Sequence, residues 1–465
     1  MAGPTPNISL KNTPSDFNLS FGKNIFTLQD TGGATDQVKF GLNILSGQTT
    51  GSTQIATLRQ FENPSGTAHF DLQNILKNYT TPNPNLENTS NLTDGRYETF
   101  RFVGEIGHEI GGTFTIDEYA TGSTGSYCVI GGRKDYYDLT WTDNTKYISR
   151  ILDFFGCPVS RNEVNALTDY QISSSDYTNT PSWATGSTIV KQTIPTDSRV
   201  KRTLSFFNRH LKTDIGTIPD ERKTIGAFRV TIMSGSTELD DFFIDNIQSN
   251  GGGPNTVVGG TSYDEYPYDV ITVEAGHNLF TGDTTNATHW FIASFVKSCG
   301  SDPNTFWDTP ISKVYRFDKD EGECNDFDYV DVSWLNSLGF RDYYTFRKRK
   351  DYNISVQRNT YEQLDGTWSS ADYSVNQYDR GEKVFSQSLQ ERYTINTGYL
   401  SDDEAEFLKN LYLSPDVKVR FEDDTNFYPV VLEDSQWTER TYRKDKLFQN
   451  TVTFRIAHKL NSQRG

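Results

Sequence analysis

The chain has 465 residues, a net charge of −17, only 34% hydrophobic residues and a high aromatic content of 13%. The excess of acidic residues argues against a protein that wraps DNA or RNA or docks on an anionic membrane, because both surfaces attract basic proteins. The aromatic content excludes a chain that is disordered throughout, since each buried Phe or Tyr removes roughly 150–250 Å² from water.

The sequence gives no sign of a targeting or membrane-spanning segment. The first residues lack a basic region followed by an apolar core, so we expect no signal peptide and synthesis in a cytoplasm. No run approaches the ~18 consecutive apolar residues of a transmembrane helix, so membrane insertion is not expected. The cysteines are Cys128, Cys157, Cys299 and Cys324. They form no C-x-x-C pair, which argues against a zinc ribbon or redox motif and leaves their disulfide state open.

The N-terminal third is predicted to form an extended arm and a first β-domain. Residues 1–24 are polar and rich in proline, which favours an arm that lies on a neighbour or frays. Residues 25–160 hold short runs in which apolar and polar residues alternate, as in half-buried strands. The clearest runs are 38–44, 99–103 and 112–117. Residues 70–78 are an exception and predict a short helix.

The middle of the chain is predicted to be a linker followed by a second β-domain. Residues 161–198 are rich in Ser, Thr, Asp and Tyr, the composition of a linker or long loop. Residues 199–325 contain further strand patterns, among them 228–233 and 269–274. The run 290–296 is almost continuously apolar, which predicts a strand buried on both faces.

Residues 326–465 form the third predicted β-domain and have the strongest patterns. Residues 329–334 alternate, and Tyr352, Ile354 and Val356 lie on one side of the next predicted strand.

One helix is expected in this domain, over residues 401–414. It begins with a capping box, in which the Ser401 side chain accepts hydrogen bonds from first-turn amides and the Glu404 carboxylate accepts one from the backbone N–H of Ser401. Pro415 ends it. The whole pattern predicts a mainly β protein with two or three antiparallel β-sandwich-like domains and a few short helices.

The motifs that suggest catalysis or metal binding fail on inspection. Residues 107–112 resemble the zinc-protease motif H-E-x-x-H, but Gly112 stands where the second histidine would be. Residues 318–326 resemble a calcium loop, but the glycine comes one place early and no Glu closes it. Two interpretations of this segment stay open, a solvated acidic loop and a weak calcium site. We therefore expect no enzyme, no catalytic residues, no cofactor and no metal site.

The one basic run of the sequence, Arg347, Lys348, Arg349 and Lys350, is a candidate interaction site. With the neighbouring tyrosines it would suit nucleic acid or an acidic partner. Charges at the end of a strand also protect against edge-to-edge aggregation, so a solvated cluster is the alternative. In so acidic a chain, an acidic patch on a neighbouring subunit is a better partner than nucleic acid.

Three segments carry a resemblance to a known group of proteins. They are residues 68–79 (AHFDLQNILKNY), residues 334–346 (WLNSLGFRDYYTF) and residues 408–429. In these aromatic and glycine positions the chain resembles virion proteins of tailed bacteriophages of Bacteroidota, including crAss-like phages. The segments cover about a tenth of the chain and contain no diagnostic site. The resemblance implies a role in the tail, baseplate, hub or neck, localisation in the virion, and assembly into a ring.

The expected function is therefore that of a non-enzymatic structural component of a bacteriophage virion. Its partners would be copies of itself in a ring and other virion proteins. The alternative is a carbohydrate-binding adhesin or receptor-binding protein, with or without glycosidase activity, that contacts host surface glycans. Candidates for stacking on sugars are Trp141, Trp183, Trp307 and Trp368, each of which could equally be a core or loop-anchoring residue.

Overall fold

A computed structural model gives the architecture of the chain. It describes residues 6–14, 17–32, 38–47, 53–81, 92–94, 99–121, 126–132, 140–142, 146–148, 179–187, 189–197, 199–207, 225–245, 270–279, 286–296, 310, 312–320, 327–336, 339–363, 366–368, 372–378, 381–400, 402–433, 448–458 and 460–461. Strands hold 63% of this structure and helices 7%, arranged in several multi-stranded sheets. The predicted mainly β, sandwich-like class is confirmed.

The chain divides into two compact units. The first contains Met1–Glu321 and Leu335–Asp342, and the second contains Gly322–Trp334 and Tyr343–Gly465. The division into three β-domains, at 25–160, 199–325 and 326–465, stays a prediction. The first unit nevertheless holds two separate clusters of buried side chains, which are described in turn below.

The first cluster lies between two sheets built from the N-terminal strands. These strands are β1 (Ile8–Pro14), β2 (Phe17–Leu19), β3 (Ile25–Asp30), β4 (Lys39–Ser46), β5 (Gln54–Phe61), β6 (Thr67–Asp71), β7 (Leu92–Asp94), β8 (Thr99–Ile110), β9 (Thr113–Ala120), β10 (Tyr127–Ile130), β11 (Thr140–Thr142) and β12 (Lys146–Ile148). One sheet has the order β11-β12-β1-β3-β6, and the other β2-β10-β8-β4-β5 with β9 also on β8. Both contribute to one core, where Phe26 meets Tyr127 edge to face at 5.2 Å.

Glycines shape the β8–β9 hairpin. Gly111 and Gly112 form its turn with φ values of +59° and +86°, which side-chain-bearing residues rarely adopt. A Cβ atom on Gly107 would lie 1.9 Å from the carbonyl oxygen of Thr115, so the bulge at this point admits only glycine. The zinc-protease-like run 107–112 is thus a strand end and a glycine turn, as the failed motif indicated.

The predicted N-terminal arm is wrong for residues 8–14 and 17–19, which form strands β1 and β2 within sheets. Strand β1 pairs antiparallel with β3, and Ile8 is fully buried. The backbone N–H groups of Ile8 and Leu10 also donate to the carboxylates of Asp117 and Glu118, at 3.1 and 3.0 Å. The alternation of Ile8 and Leu10 was the available signal, and the surrounding prolines and polar residues obscured it.

The short helix predicted at 70–78 is only partly correct. Phe70 belongs to β6, and the helix α1 covers Gln73–Leu76. Its apolar residues still face the first core, as their spacing indicated, since Leu72 and Leu76 are fully buried there.

The second cluster of the first unit belongs to the middle of the chain. Its strands are β13 (Ile189–Pro195), β14 (Thr203–Phe207), β15 (Ile225–Ser234), β16 (Thr237–Asp245), β17 (Val270–Glu274), β18 (His289–Val296) and β19 (Val314–Asp320). The sheet β13-β19-β18-β15-β16 lies near a second sheet, β14-β17-β7. The second cluster packs on one face of the larger sheet, where Trp183 meets Phe295 edge to face at 5.3 Å. On the other face, Phe206 of β14 contacts Phe228 and Tyr315 at 5.1 and 5.9 Å. Strand β18 is buried on both faces, which confirms the reading of its apolar run.

The predicted linker 161–198 is wrong in its final part. Strand β13 pairs in parallel with β19 along its whole length, and Ile189 and Ile194 are buried. The alternation of apolar and polar residues in 189–195 is too short to predict a strand, because the polar Thr193 and the proline at 195 interrupt it. Of the earlier part of this segment, residues 161–178 lie outside the described residues.

The second unit is built on one large sheet and one helix. Its strands are β20 (Val330–Leu335), β21 (Arg341–Phe346), β22 (Lys350–Glu362), β23 (Thr367–Trp368), β24 (Tyr373–Ser374), β25 (Glu382–Leu400), β26 (Val417–Phe421), β27 (Tyr428–Leu432), β28 (Phe448–Ile456) and β29 (Leu460–Asn461). The sheet order is β21-β20-β26-β27-β28-β25-β22, with β29 also on β25. Helix α2 (Asp402–Leu413) confirms the predicted helix, and Phe407 packs on Trp334 at 5.1 Å. Ser401, the expected cap, lies outside the described residues.

Strand β20 is buried on both faces, although its sequence alternates. The polar side is closed by an ionic network in which Asp331 and Arg420 face each other on adjacent strands. Their side chains are 0% exposed and 3.7 Å apart. Thr345 donates to Asp331 at 2.9 Å, and Arg420 donates to the hydroxyl of Tyr329 at 3.1 Å. Period-two alternation therefore marked a covered polar face here instead of a solvated one.

Candidate interaction surface

The basic run lies in the connection from β21 into β22, at the base of a long hairpin. Arg349 pairs with Asp351 through its guanidinium at 2.7 Å, and both side chains are well exposed. The Lys350 ammonium pairs with Asp328 at 2.7 Å and also lies 5.8 Å from the centre of the Phe421 ring. The hydrogen bond from Lys350 lowers the pKa of the Asp328 carboxyl below its usual value.

The four basic residues therefore do not act as one free cluster. Arg349 and Lys350 are engaged by acids of the same unit, whereas Lys348 is exposed and Arg347 is half-buried. A surface of four cations aimed at nucleic acid is not what the structure presents. The run instead closes the base of the hairpin with local ion pairs, and its role as a contact for another molecule stays a prediction.

The hairpin itself is the most prominent exposed feature of the second unit. It joins the 13 residues of β22 to the first part of the 19-residue strand β25 in antiparallel register, from Lys350 opposite Ile395 to Glu362 opposite Glu382. Nearly every residue of β22 is exposed, on both faces of the strand. At ~3.4 Å per residue, the strand extends about 44 Å. Among the strands that the structure describes, it is the last of its sheet and pairs only with β25, which leaves its outer edge open within the described part of the chain.

The two faces of this hairpin differ in chemistry. One face carries Tyr352, Ile354 and Val356 on β22, and opposite them on β25 stand Tyr393, Glu391 and Leu389. Tyr352 is 50% exposed and Ile354 46% exposed, although both are large and apolar in character. An apolar row on an exposed, extended strand is unusual, since such edges are normally protected by charge or cover.

The opposite face of the hairpin is polar from Asp351 to Asn359. It presents hydroxyl, amide and charged groups from both strands. On β22 they belong to Asp351, Asn353, Ser355, Gln357 and Asn359, and opposite them on β25 stand Thr394, Arg392, Gln390, Ser388 and Ser386. The contrast shows that the apolar face is a specific feature of one side of the hairpin.

The apolar face continues an aromatic row that begins inside the sheet. Phe454, Tyr393 and Tyr352 stand opposite one another on β28, β25 and β22. Tyr393 stacks on Phe454 at 5.6 Å and contacts Tyr352 at 4.8 Å. Burial, together with the nearby Glu391 carboxylate, raises the pKa of the Tyr393 hydroxyl to about 12, so this ring stays neutral. The row ends at the open edge, where Tyr352 is half exposed.

Ion pairs hold the base of the hairpin to the rest of the sheet. Arg392 of β25 donates to both carboxylate oxygens of Glu433, and these bonds raise the pKa of the guanidinium above its usual value. Arg455 of β28 lies 3.8 Å from the same carboxylate. The base is thus fixed while the outer part projects from the sheet.

A β-bulge gives the outer part of the hairpin its own exposed rings. The register shifts between Asn359 and Thr360, which leaves Phe385 as the extra residue of β25. Phe385 is 56% exposed and contacts Tyr361 at 6.4 Å. Beyond it, Tyr373 and Tyr378 are 46% and 80% exposed.

Sequence reasoning placed Tyr352, Ile354 and Val356 on one side of a strand but gave them no role. It missed strand β25 altogether. The bulge at Phe385 breaks the period-two pattern of residues 382–400, so the alternation that would reveal a partner strand is interrupted. The usable signal was the pairing of alternating runs on either side of a polar, glycine-containing segment.

The other sequence candidates have structural roles where the structure describes them. Trp183 is buried and donates from its indole to Thr231 at 2.8 Å, so it is wrong as a sugar-stacking residue. The carboxylate of Asp318 is paired with Lys191 and Arg316, each at 2.7 Å. Trp141 lies in β11 and Trp368 in β23, but the structure does not describe their side chains. Trp307 and residues 321–326 of the calcium-like loop lie outside the described residues.

Two histidines of the first unit are held in specific contacts. His108 lies 2.7 Å from the carboxylate of Asp117. His277 donates from Nε2 to the carbonyl of Pro195 at 2.9 Å and packs on Trp290, and burial lowers its pKa to about 4. Both contacts join neighbouring segments of the fold. In the described residues, no group of three or more His, Cys, Asp or Glu side chains is arranged to hold a metal ion.

Comparisons with known proteins give no family for the chain. No protein-family model matches it, and no curated protein matches its sequence. Among the helices that the structure describes, none has the length and apolar character needed to cross a membrane.

Proposed function

We propose that the chain is a structural component of a tailed bacteriophage particle, in the tail, baseplate, hub or neck, and that it acts by assembling with copies of itself. The observation that carries the proposal is the exposed apolar face of the β22–β25 hairpin at an open sheet edge. Such a face lowers its free energy when another protein covers it, at roughly 25 cal/mol per Å² of apolar surface. A rigid hairpin fixed at its base suits a contact between subunits.

The resemblance to virion proteins supports the particle as the setting. Two of the segments that carry it lie in the second unit. One covers the end of β20 and all of β21, and the other runs from α2 to β27. They build the sheet from which the hairpin projects. A ring would require further contacts between β-rich surfaces of neighbouring copies.

The proposal is tested in particles of a phage that encodes the chain. Mass spectrometry of purified virions should find the protein in a fixed copy number, and negative-stain micrographs of the purified protein should show discrete oligomers. The double variant Ile354→Ser, Val356→Ser should disrupt these oligomers. The matched control, Ser388→Ala with Thr394→Ser, changes the polar face on the neighbouring strand β25, away from the β22 edge, and should leave them intact. Virions that contain none of the protein would overturn the proposal.

A second candidate function is binding of host surface glycans by the outer part of the hairpin. It is favoured by the exposure of Tyr373 and Tyr378, because open tyrosine rings can stack on sugars. A glycan array would show binding that is lost in Tyr378→Ala. An array with no binding at all would sink this reading without affecting the assembly proposal.

A further inference from the structure

We propose that the open edge of β22 pairs with the same edge of a second copy, antiparallel and with the two strands overlapping along their whole length. The inference rests on the proposed assembly function and names one contact of that assembly. Backbone geometry, charge and side-chain pattern each favour a second copy of this chain as the partner of the β22 edge.

The backbone of β22 is suited to accept another strand. Among the strands that the structure describes, it pairs only with β25, and it is the end strand of its sheet. On an end strand, alternate N–H and C=O groups point away from the sheet and can bond to a further strand. Strand addition at an exposed edge is a common mode of protein recognition. The 13 residues of β22 make this edge long.

The charges of β22 suit a copy of itself. Each chain carries a net charge of −17, which opposes association of copies in general. Within β22 the charges balance, since Lys350 and Arg358 offset Asp351 and Glu362. Full antiparallel overlap places Lys350 of each strand opposite Glu362 of the other, so opposite charges meet at both ends. The ammonium of Lys350 can keep its bond to Asp328, because it has several N–H donors.

The side-chain pattern is also self-complementary in this register. Val356, the central residue, faces its own counterpart across the two-fold axis, while Ile354 meets Arg358, whose aliphatic stem can pack on it, and Tyr352 meets Thr360. On the polar face, Ser355 meets Gln357 and Asn353 meets Asn359, and these pairs can exchange hydrogen bonds. A slip of one residue would separate Lys350 from Glu362 at both ends and set Val356 against Ser355 or Gln357, which disfavours that register.

This contact has two-fold symmetry, because the same edge serves both partners. It closes after two copies and cannot by itself generate a ring, which needs a head-to-tail contact elsewhere. In a ring-shaped particle the β22 pair would therefore join two rings, or alternate with a second kind of contact around one ring.

Cysteine cross-linking of the full-length chain tests the pairing and its register. Val356→Cys alone should form a covalent dimer under mild oxidation, since directly opposed strand residues lie within disulfide reach. Ser355→Cys and Gln357→Cys should cross-link poorly when each is alone and efficiently when the two variants are mixed. The unsubstituted chain reports the background from the native cysteines. A Val356→Cys yield no higher than that of Ser355→Cys alone would overturn the inference.

A charge variant gives a second, non-covalent readout. Glu362→Lys lies on an exposed part of the hairpin, so the fold should be unaffected, which circular dichroism checks. It places Lys opposite Lys350 and should weaken dimerisation at least tenfold at low salt. Dimerisation unchanged by this variant would count against the inference. If the protein still forms larger oligomers while both tests fail, only this inference falls. A wild-type chain that stays monomeric would remove the assembly proposal with it.

Discussion

The buried pair of Asp331 and Arg420 makes the sharpest stability prediction. Replacing Asp331 by Ala leaves a guanidinium that is 0% exposed without its facing carboxylate, 3.7 Å away. It also removes the acceptor of the Thr345 hydroxyl. Breaking one partner of such a pair costs about 3–5 kcal/mol, because the remaining charge stays buried.

That loss corresponds to roughly two to four powers of ten in the opening equilibrium, at about 1.4 kcal/mol per factor of ten. Hydrogen exchange followed by mass spectrometry measures it locally in the full chain, which suits a protein of two units. Peptides of β20 and β26 should lose protection, whereas peptides of β3 and β4 in the other unit serve as the internal control.

The double variant Asp331→Leu, Arg420→Met separates the charge effect from packing. Since no charge is left unpaired, it should recover most of the lost stability, as apolar replacement of whole ion pairs often does. Protection in Asp331→Ala equal to that of the wild type would refute the reasoning, because it would mean that the guanidinium is solvated. So would a double variant less stable than Asp331→Ala.

Three further predictions concern other parts of the chain. His277 has a pKa of about 4 in the fold against 6.5 unfolded, so the unfolded chain binds the extra proton between these values. The stabilisation that neutral His277 contributes to the fold is therefore complete above pH 6.5 and falls by up to about 3 kcal/mol as the pH drops to 4. His277→Gln should remove this slope from the pH dependence of hydrogen exchange in β17 and β18. Gly107→Ala should cost at least about 2 kcal/mol and expose the β8–β9 hairpin to exchange, because its Cβ would meet the Thr115 carbonyl; unchanged protection there would contradict this. Trp183→Phe keeps most of the packing but loses the hydrogen bond from the indole to Thr231, so it should lower the free energy of unfolding by about 1 kcal/mol, as measured by thermal unfolding. Unchanged stability or increased sugar binding would contradict the structural role of Trp183.

Patterns that rest on local periodicity were readable from the sequence. The apolar run of β18 and the spacing in α2 each depend on burial within a single element, and both are confirmed. Elements that depend on distant partners were not readable. Strand β1 forms because its backbone pairs with β3 and donates hydrogen bonds to the carboxylates of Asp117 and Glu118. Nothing in the residues of β1 specifies those partners.

The candidate surface shows the same limit. The sequence drew attention to Arg347–Lys350 as four charges in a row, but two of them are neutralised by Asp328 and Asp351 at the base of the hairpin. The neighbouring apolar face was visible only as alternation, because exposure depends on whether another strand or layer covers it. That is a property of the tertiary structure, and the bulge at Phe385 concealed the partner strand.

The most direct test of the account is the mass of the purified full-length protein in solution. Light scattering coupled to size-exclusion chromatography, over a hundredfold range of concentration, should give a discrete multiple of the 52.7 kDa chain that is lost in Ile354→Ser, Val356→Ser. A constant 52.7 kDa at every concentration, with the same value for the variant, would contradict a protein that works by covering its exposed hairpin with another subunit.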